Sequence, residues 1–356
     1  MISLFDKEEF WTDKPRETVL GVEIEMMLYD VQKDSLLRSR SVRDTVISRI
    51  NSITNSTLVS HDYYPYQLEI RSSPHENVDD IIAEVGELYR ISEKEFRKEN
   101  IVILPVSNLS LNEDAYCGTH VHVSLKSKPE NPNDYLNQLY SIAWGSYPFI
   151  LAIADITKNS MNIINNLFKA TERIEESRHI GIPPFGNIIR NSHGDSNGWF
   201  DFTINNVNTD TKSVVTLEYR LFDTPSIVQY LHFMLGAIKA VVSNVRFDNP
   251  VMRYILEAMN ENHDIESNSK LQLLREHFDK IRFSLNSCLY GYNSLLGIDN
   301  LNLMKWVGEK FGIKVPEVLQ NEVIEKMKGE SIAEKKILSI VSNPNSWSNI
   351  FGENNE

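Results

Sequence analysis

The chain has 356 residues, 41% of them apolar and 24% charged, with a net charge of −13 from 49 acidic and 36 basic residues. That length suffices for one large domain or two closely packed ones, and the composition is that of a globular protein in water. A polyanion partner would need a dense basic stripe and none occurs, which argues against nucleic acid; no stretch approaches the roughly 20 apolar residues of a membrane span, which argues against a membrane.

Two cysteines, Cys117 and Cys288, lie far apart. They cannot make a disulfide framework, and they fit a reducing cytoplasm. The N-terminus, MISLFDKEEFW, is acidic and carries no apolar core, so a signal peptide is not expected.

The elements read as follows. Residues 18–30 form a strand, and 41–54 an amphipathic helix with Val42, Val46, Ile50 and Ile53 on its apolar side. A strand at 66–72 precedes a long helix from Val78 to Lys98, in which Ile81, Ile82, Val85, Leu88, Tyr89 and Phe96 recur at intervals of three and four. Strands follow at 101–107 and 117–125, then helices at 134–156 and 161–177. Residues 179–210 are rich in Gly, Pro and Asn and read as loops over a site. A strand at 214–222 runs through Asp223-Thr224-Pro225 into a helix of about twenty residues. Helices are expected at 251–259, 267–290, 299–312 and 315–340. No repeat or low-complexity linker marks a boundary, so residues 1–356 are treated as one domain with a motif-bearing core at 18–250 and a helical part at 251–356. The class is α+β, a mostly antiparallel sheet with helices on one side.

Chemistry concentrates on the strands. Glu23 and Glu25 in GVEIEM, Glu69 and Arg71 in QLEIRSS, His120 and His122 in GTHVHVSL, and Glu218 and Arg220 in TLEYRLF each recur at every second position. A strand sends alternate side chains to opposite faces. Each polar pair therefore shares a face, while Val22, Ile24 and Met26, Val121, Val123 and Leu125, and Leu217, Tyr219 and Leu221 cover the other. Singly, each pair reads almost as well as solvated acids, sheet histidines or a same-face ion pair. Inward carboxylates on a central strand are costly unless paired or metal-bound. His-x-His could hold zinc, but the carboxylates favour a hard cation such as Mg2+ or Mn2+. Arg220 offers a planar fork for a phosphoryl or carboxylate group. Asp62 is a further acidic candidate, separated from Glu69 by Pro65.

In this order and at these separations, GVEIEM, QLEIRSSP, GTHVHVSL and TLEYRLFDTP resemble the second group of glutamate–cysteine ligases. These are carboxylate–amine ligases of the glutamine synthetase superfamily. The resemblance covers roughly residues 18 to 250. It implies a curved, mostly antiparallel sheet with helices on its convex side and a concave face holding ATP and magnesium ions. It further implies activation of a carboxylate, usually glutamate's, as an acyl phosphate that an amine such as cysteine attacks. By the same resemblance Glu23, Glu25, Asp62, Glu69, His120 and Glu218 are metal ligands. His120, His122 and Arg220 face the nucleotide phosphates, and Glu25 and Arg220 carry the catalysis. The implied partners are small molecules, with room for a homo-oligomer.

The chain departs from the family in two places. Ser72-Ser73-Pro74 stands where a glycine is expected near the substrate carboxylate, and 179–210 does not match clearly. Arg173, Arg178 and Arg190 are the basic residues there, with Arg190 counted toward the nucleotide. Two other functions compete with the ligase: a catalytically inactive nucleotide-binding regulator of the same fold, and a zinc hydrolase using His120 and His122.

Overall fold

The computed structural model describes residues 8–109, 117–156, 160–162, 167–169, 189–190, 202–208, 213–225, 228–249 and 298–327. Its organising element is β1 (Thr18–Asp30), which is hydrogen-bonded along both edges. On one edge lie β4 (Gln67–Arg71) and then β2 (Ser35–Leu36); on the other lie β7 (Thr119–Leu125) and then β5 (Ile101–Leu104). β3 (Val59–Ser60) adds an edge beyond β4. On the far side, β12 (Ser213–Phe222), β11 (Phe202–Asn208) and β10 (Ile189–Arg190) extend the sheet to nine strands. Every pairing within it is antiparallel except that of β10 with β11.

The alternation expected on β1 holds. Leu20, Val22, Ile24, Met26 and Leu28 point to the back, where they are at most 1% exposed. Val121, Val123 and Leu125 of β7, Leu68 and Ile70 of β4, and Leu217 and Tyr219 of β12 are buried with them in one core. That face is covered by α1 (Arg40–Thr54), α2 (Val78–Arg97), α3 (Pro132–Ile156) and α4 (Val228–Asn244), of which α2 and α4 pack on β1 and α3 on β12. The Tyr219 hydroxyl and Ser146 Oγ of α3 are hydrogen-bonded at 2.6 Å, tying sheet to helix inside the core. Side chains set the helix ends. Ser39 and Asn77 accept from backbone N–H groups of the first turns of α1 and α2, and Asn55 closes α1 in the left-handed conformation.

Several expectations require correction. The buried stripe of α1 runs through Arg43, Val46, Ile47 and Ile50, leaving Ile53 exposed. Its phase is set by Arg43, whose guanidinium donates to the Tyr64 carbonyl and pairs with Asp44. The helix expected at 161–177 gives way, where the chain is described, to β8 (Ser160–Asn162) and β9 (Leu167–Lys169), which form a small sheet with β6 (Asn108–Leu109). Asn162, Asn165 and Asn166 are weak helix formers, and the ladder supplies the backbone partners instead. Within the expected loops of 179–210, β10 and β11 are strands; Asn-rich FTINNVN pairs residue for residue with β12 despite its loop-like composition.

Toward the C-terminus, α5 (Ile298–Phe311) matches the expected helix, and α6 (Glu317–Met327) covers part of 315–340. An aromatic cluster of Phe10, Trp11, Phe149, Trp306 and Phe311 binds α5 to α3 and to the N-terminal segment. The helices expected at 251–259 and 267–290 lie outside the described residues. Among the described residues no helix is long and apolar enough to cross a membrane.

Ile24 is fully buried at the centre of β1 while Ile53 is 56% exposed. Ile24→Ala should lower stability by about 2–5 kcal/mol, whereas Ile53→Ala should stay within about 0.5 kcal/mol of the parent. Urea unfolding checks both, and equal effects would contradict this assignment of the core.

Candidate functional site

The front of the sheet carries the polar positions, and the register aligns them into rows. Across β4, β1 and β7, Arg71, Glu23 and His120 are direct neighbours. One repeat further along β1, Glu25 faces Glu69, which in turn faces Ser60 of β3. In the other direction Gly21, His122, Glu218 and Thr203 form a third row. Directly opposed residues of an antiparallel pair lie on the same face with Cβ atoms about 5 Å apart. Four strands thus bring Glu23, Glu25, Glu69, His120, His122, Glu218 and Arg220 onto one surface.

Glu23 is the hub. His120 Nδ1 lies 3.2 Å from Glu23 Oε2 and 3.3 Å from Glu218 Oε1, and His122 Nε2 lies 3.4 Å from Glu23 Oε1. Burial alone would raise the Glu23 pKa, but the contacts and charges of the two imidazoles outweigh it and hold the carboxyl far below its usual range. Burial alone would lower the His122 pKa, but Glu23 and Glu218 outweigh it and raise it.

His122 also has an oriented geometry. Its Nδ1 meets Thr216 Oγ1 at 3.1 Å, while Nε2 is buried and faces Glu23 Oε1 at 3.4 Å without an aligned hydrogen bond. When the neutral ring donates from Nδ1 to Thr216, Nε2 keeps its lone pair and points it at the acids, the arrangement common to metal-binding histidines.

One ligand atom from each of Glu23, His122 and Glu218 lies within 4.8 Å of the other two. A cation bonded at about 2.1 Å would hold such atoms about 3–4 Å apart, so a small side-chain contraction completes three ligands. The buried Nε2, turned toward Glu23, and the convergent carboxylates fit a divalent cation. Glu25 and Glu69 lie on the other side of Glu23, one strand repeat along β1. Glu69 accepts from Ser60 Oγ at 2.7 Å and lies 3.4 Å from Arg71 Nε. Burial and then the nearby Glu23 push its pKa up, with a smaller push from Glu25. A bound cation would relieve that repulsion.

Glu218 is 1% exposed and pairs with Arg220, Nη1 to Oε1, at 2.5 Å. The β7–β12 register explains how both reach the site. Tyr219 faces Val121 but Phe222 faces Thr119, so β12 carries an extra residue opposite His120. A bulge re-aims side chains and is common beside active sites.

The remaining expectations divide. Asp62 is exposed in the turn between β3 and β4 and does not join the converging trio. A turn that ends the edge strand at Ser60 leaves it without a neighbouring strand to direct it inward. Arg190 ends β10 with its backbone opposite Asn205; Arg173 and Arg178 lie outside the described residues. Ser72-Ser73-Pro74 has a structural role: Ser72 Oγ accepts from Val22 N–H, and Ser73 and His75 both bond Glu84 of α2. Sequence reading missed Thr216, Ser60, Ser107 and Thr224. Thr216 was discoverable, since it continues the Glu218–Arg220 alternation by one step.

No protein-family model matches the sequence, and no curated protein matches it. Among solved structures, the chain is similar to a bifunctional glutathione synthetase from Pasteurella multocida, with TM-score 0.47 and 11% identity, covering 92% of this chain and 49% of that one. It is similar to the ligase PafA in complex with the prokaryotic ubiquitin-like protein Pup, with TM-score 0.43, 12% identity and coverage of 92% and 65%. A Plasmodium falciparum glutamine synthetase gives 0.40, 13%, 67% and 53%. The chain thus spans about half to two thirds of the length of these proteins.

A cation present at 100 times its Kd stabilises the folded state by about 2.7 kcal/mol. Mn2+ should raise the melting temperature of the wild type, and His122→Ala should need at least tenfold more Mn2+ for the same rise. Equal Mn2+ stabilisation of both would remove His122 from the site.

Proposed function

We propose that the protein is an ATP-dependent carboxylate–amine ligase that activates an amino acid carboxylate as an acyl phosphate and passes it to an amine. The donor proposed is glutamate, with an acceptor such as cysteine. The observation that carries this reading is the convergence of Glu23, His122 and Glu218 on one point of a sheet face that also presents Glu25, Glu69, His120 and Arg220. The resemblance of the four strand motifs to the second group of glutamate–cysteine ligases supplies the reaction.

The chain's residues divide the work. Glu23, His122 and Glu218 would hold one divalent cation, Mg2+ or Mn2+, and Glu25 and Glu69 would hold another. Bound there, the cations neutralise a triphosphate that an acidic surface would otherwise repel. Carboxylates outnumber imidazoles, which favours a hard cation over zinc and a phosphoryl transfer over hydrolysis at zinc. His120 lies among Glu23, Glu25 and Glu218 and fixes their orientation. Arg220 balances Glu218 and lies on the face where charge would develop on the transferred phosphoryl group, which it can stabilise. The carboxylate would take the γ-phosphoryl group of ATP, releasing ADP and becoming an acyl phosphate; the amine then displaces phosphate, loses a proton and leaves an amide.

Incubation with Mg-ATP, glutamate and a panel of amines should release phosphate only when donor and acceptor are both present. Arg220→Ala should lower kcat about 100- to 1,000-fold while nucleotide binding, followed by calorimetry, persists. No phosphate release with any donor and amine would count against the ligase and in favour of a nucleotide-binding regulator.

A further inference from the structure

Directly opposed residues of a hydrogen-bonded antiparallel pair normally exchange two N–H···O=C bonds. The β1–β7 register runs from Glu23 opposite His120 to Ile24 opposite Thr119, which sets Glu25 against Gly118. Half of the expected exchange is present: Glu25 N–H donates to the Gly118 carbonyl at 2.9 Å. The other half is diverted. Gly118 N–H donates to Glu25 Oε2 at 2.8 Å. The Glu25 carbonyl accepts instead from the Thr224 hydroxyl at 2.6 Å.

Thr224 is fixed in turn. Its N–H donates to Ser107 Oγ at 2.6 Å, and the Ser107 carbonyl accepts from Cys117 N–H at 2.8 Å. Glu25, Thr224, Ser107 and the Cys117–Gly118 segment therefore close a ring of hydrogen bonds drawn from four parts of the chain. Thr224, Ser107 and Glu25 are 0%, 3% and 4% exposed.

We propose that Thr224 is the positioning residue of Glu25: by occupying the Glu25 carbonyl, its hydroxyl commits the Gly118 amide to the carboxylate. A buried carbonyl left without a donor is costly, so loss of the hydroxyl would draw the Gly118 N–H back to the Glu25 carbonyl and re-form the ordinary ladder. The carboxylate would then lose a charge-assisted bond and the orientation it enforces. With Oε2 held by Gly118, Oε1 lies 3.9 Å from His120 Nε2, on the side of the cation ligands. The role assigned to this orientation rests on reading Glu25 as a site carboxylate. The hydrogen-bond switch itself does not depend on the reaction.

Cys117–Gly118 is the only Cys–Gly pair in the sequence. Labelling cysteine with 13C at the carbonyl and glycine with 15N therefore isolates the Gly118 amide as one NMR signal. Thr224→Val should move that signal as Glu25→Gln does, and Thr224→Ser should leave it at the wild-type position. Mn2+ affinity should fall about 10- to 100-fold in Thr224→Val and be retained in Thr224→Ser. A Gly118 signal that moves in Glu25→Gln and stays in Thr224→Val overturns the proposal. So does unchanged Mn2+ affinity in Thr224→Val where Glu25→Gln has lost it. If Thr224→Val does not fold, Ser107→Ala withdraws the acceptor that holds Thr224; its Gly118 signal should move, and an unmoved one overturns the proposal equally. Failure of the ligase reading is separate: it appears as wild type that releases no phosphate while the Gly118 pattern holds.

Discussion

Four carboxylates, those of Glu23, Glu25, Glu69 and Glu218, lie on one face of three strands, β4, β1 and β12, with the two imidazoles of β7 between them. At about 5 Å and an effective dielectric near 20, two like charges repel by roughly 3 kcal/mol. That repulsion is the constraint from which the rest of the front face follows. Glu23 is held ionised between His120 and His122, Glu218 is paired with Arg220, and Glu69 is held by Ser60 and Arg71. Glu69 still responds by a raised pKa. A surface built this way is most stable when a cation joins it.

The back of the sheet serves that constraint. A carboxylate cluster needs a rigid platform, because a small displacement of any ligand weakens the cation site. β1 supplies one by pairing on both edges and burying Leu20 through Leu28 on alternate positions under helices. Glu218 reaches the site through its pairing with His122, and the bulge that follows leaves Arg220 beside it, opposite His120. Asp-Thr-Pro ends that strand where Thr224 can reach Glu25. Local departures from a regular ladder thus occur where the site's polar groups are placed.

Much of this arrangement is legible in the sequence, because period-two alternation carries both the core and the polar face. β1 runs over Thr18–Asp30 as its pattern predicts, and Glu23, His122 and Glu218 converge, with His120 in contact with both carboxylates, as alternation on neighbouring strands requires. Alternation does not fix strand order or register, so the pairing of Glu25 with Glu69 and the bulge beside His120 emerge only from the ladder. Composition misleads where pairing overrides it, as in Asn-rich β11 and in β8 and β9. Helical spacing misleads in α1, where the bonds of Arg43 rotate the buried stripe away from Ile53. Thr224 and Ser107 carry no pattern at all, since their role is a bond to a backbone carbonyl and to each other.

The central claim is that Glu23, His122 and Glu218 hold a divalent cation beneath a nucleotide. Anomalous scattering from crystals grown with Mn2+ and a non-hydrolysable ATP analogue tests it most directly. The account predicts a manganese peak bonded to His122 Nε2 and to carboxylate oxygens of Glu23 and Glu218, with the analogue's phosphates beside it. A nucleotide bound elsewhere, or manganese absent from these three residues, would contradict it.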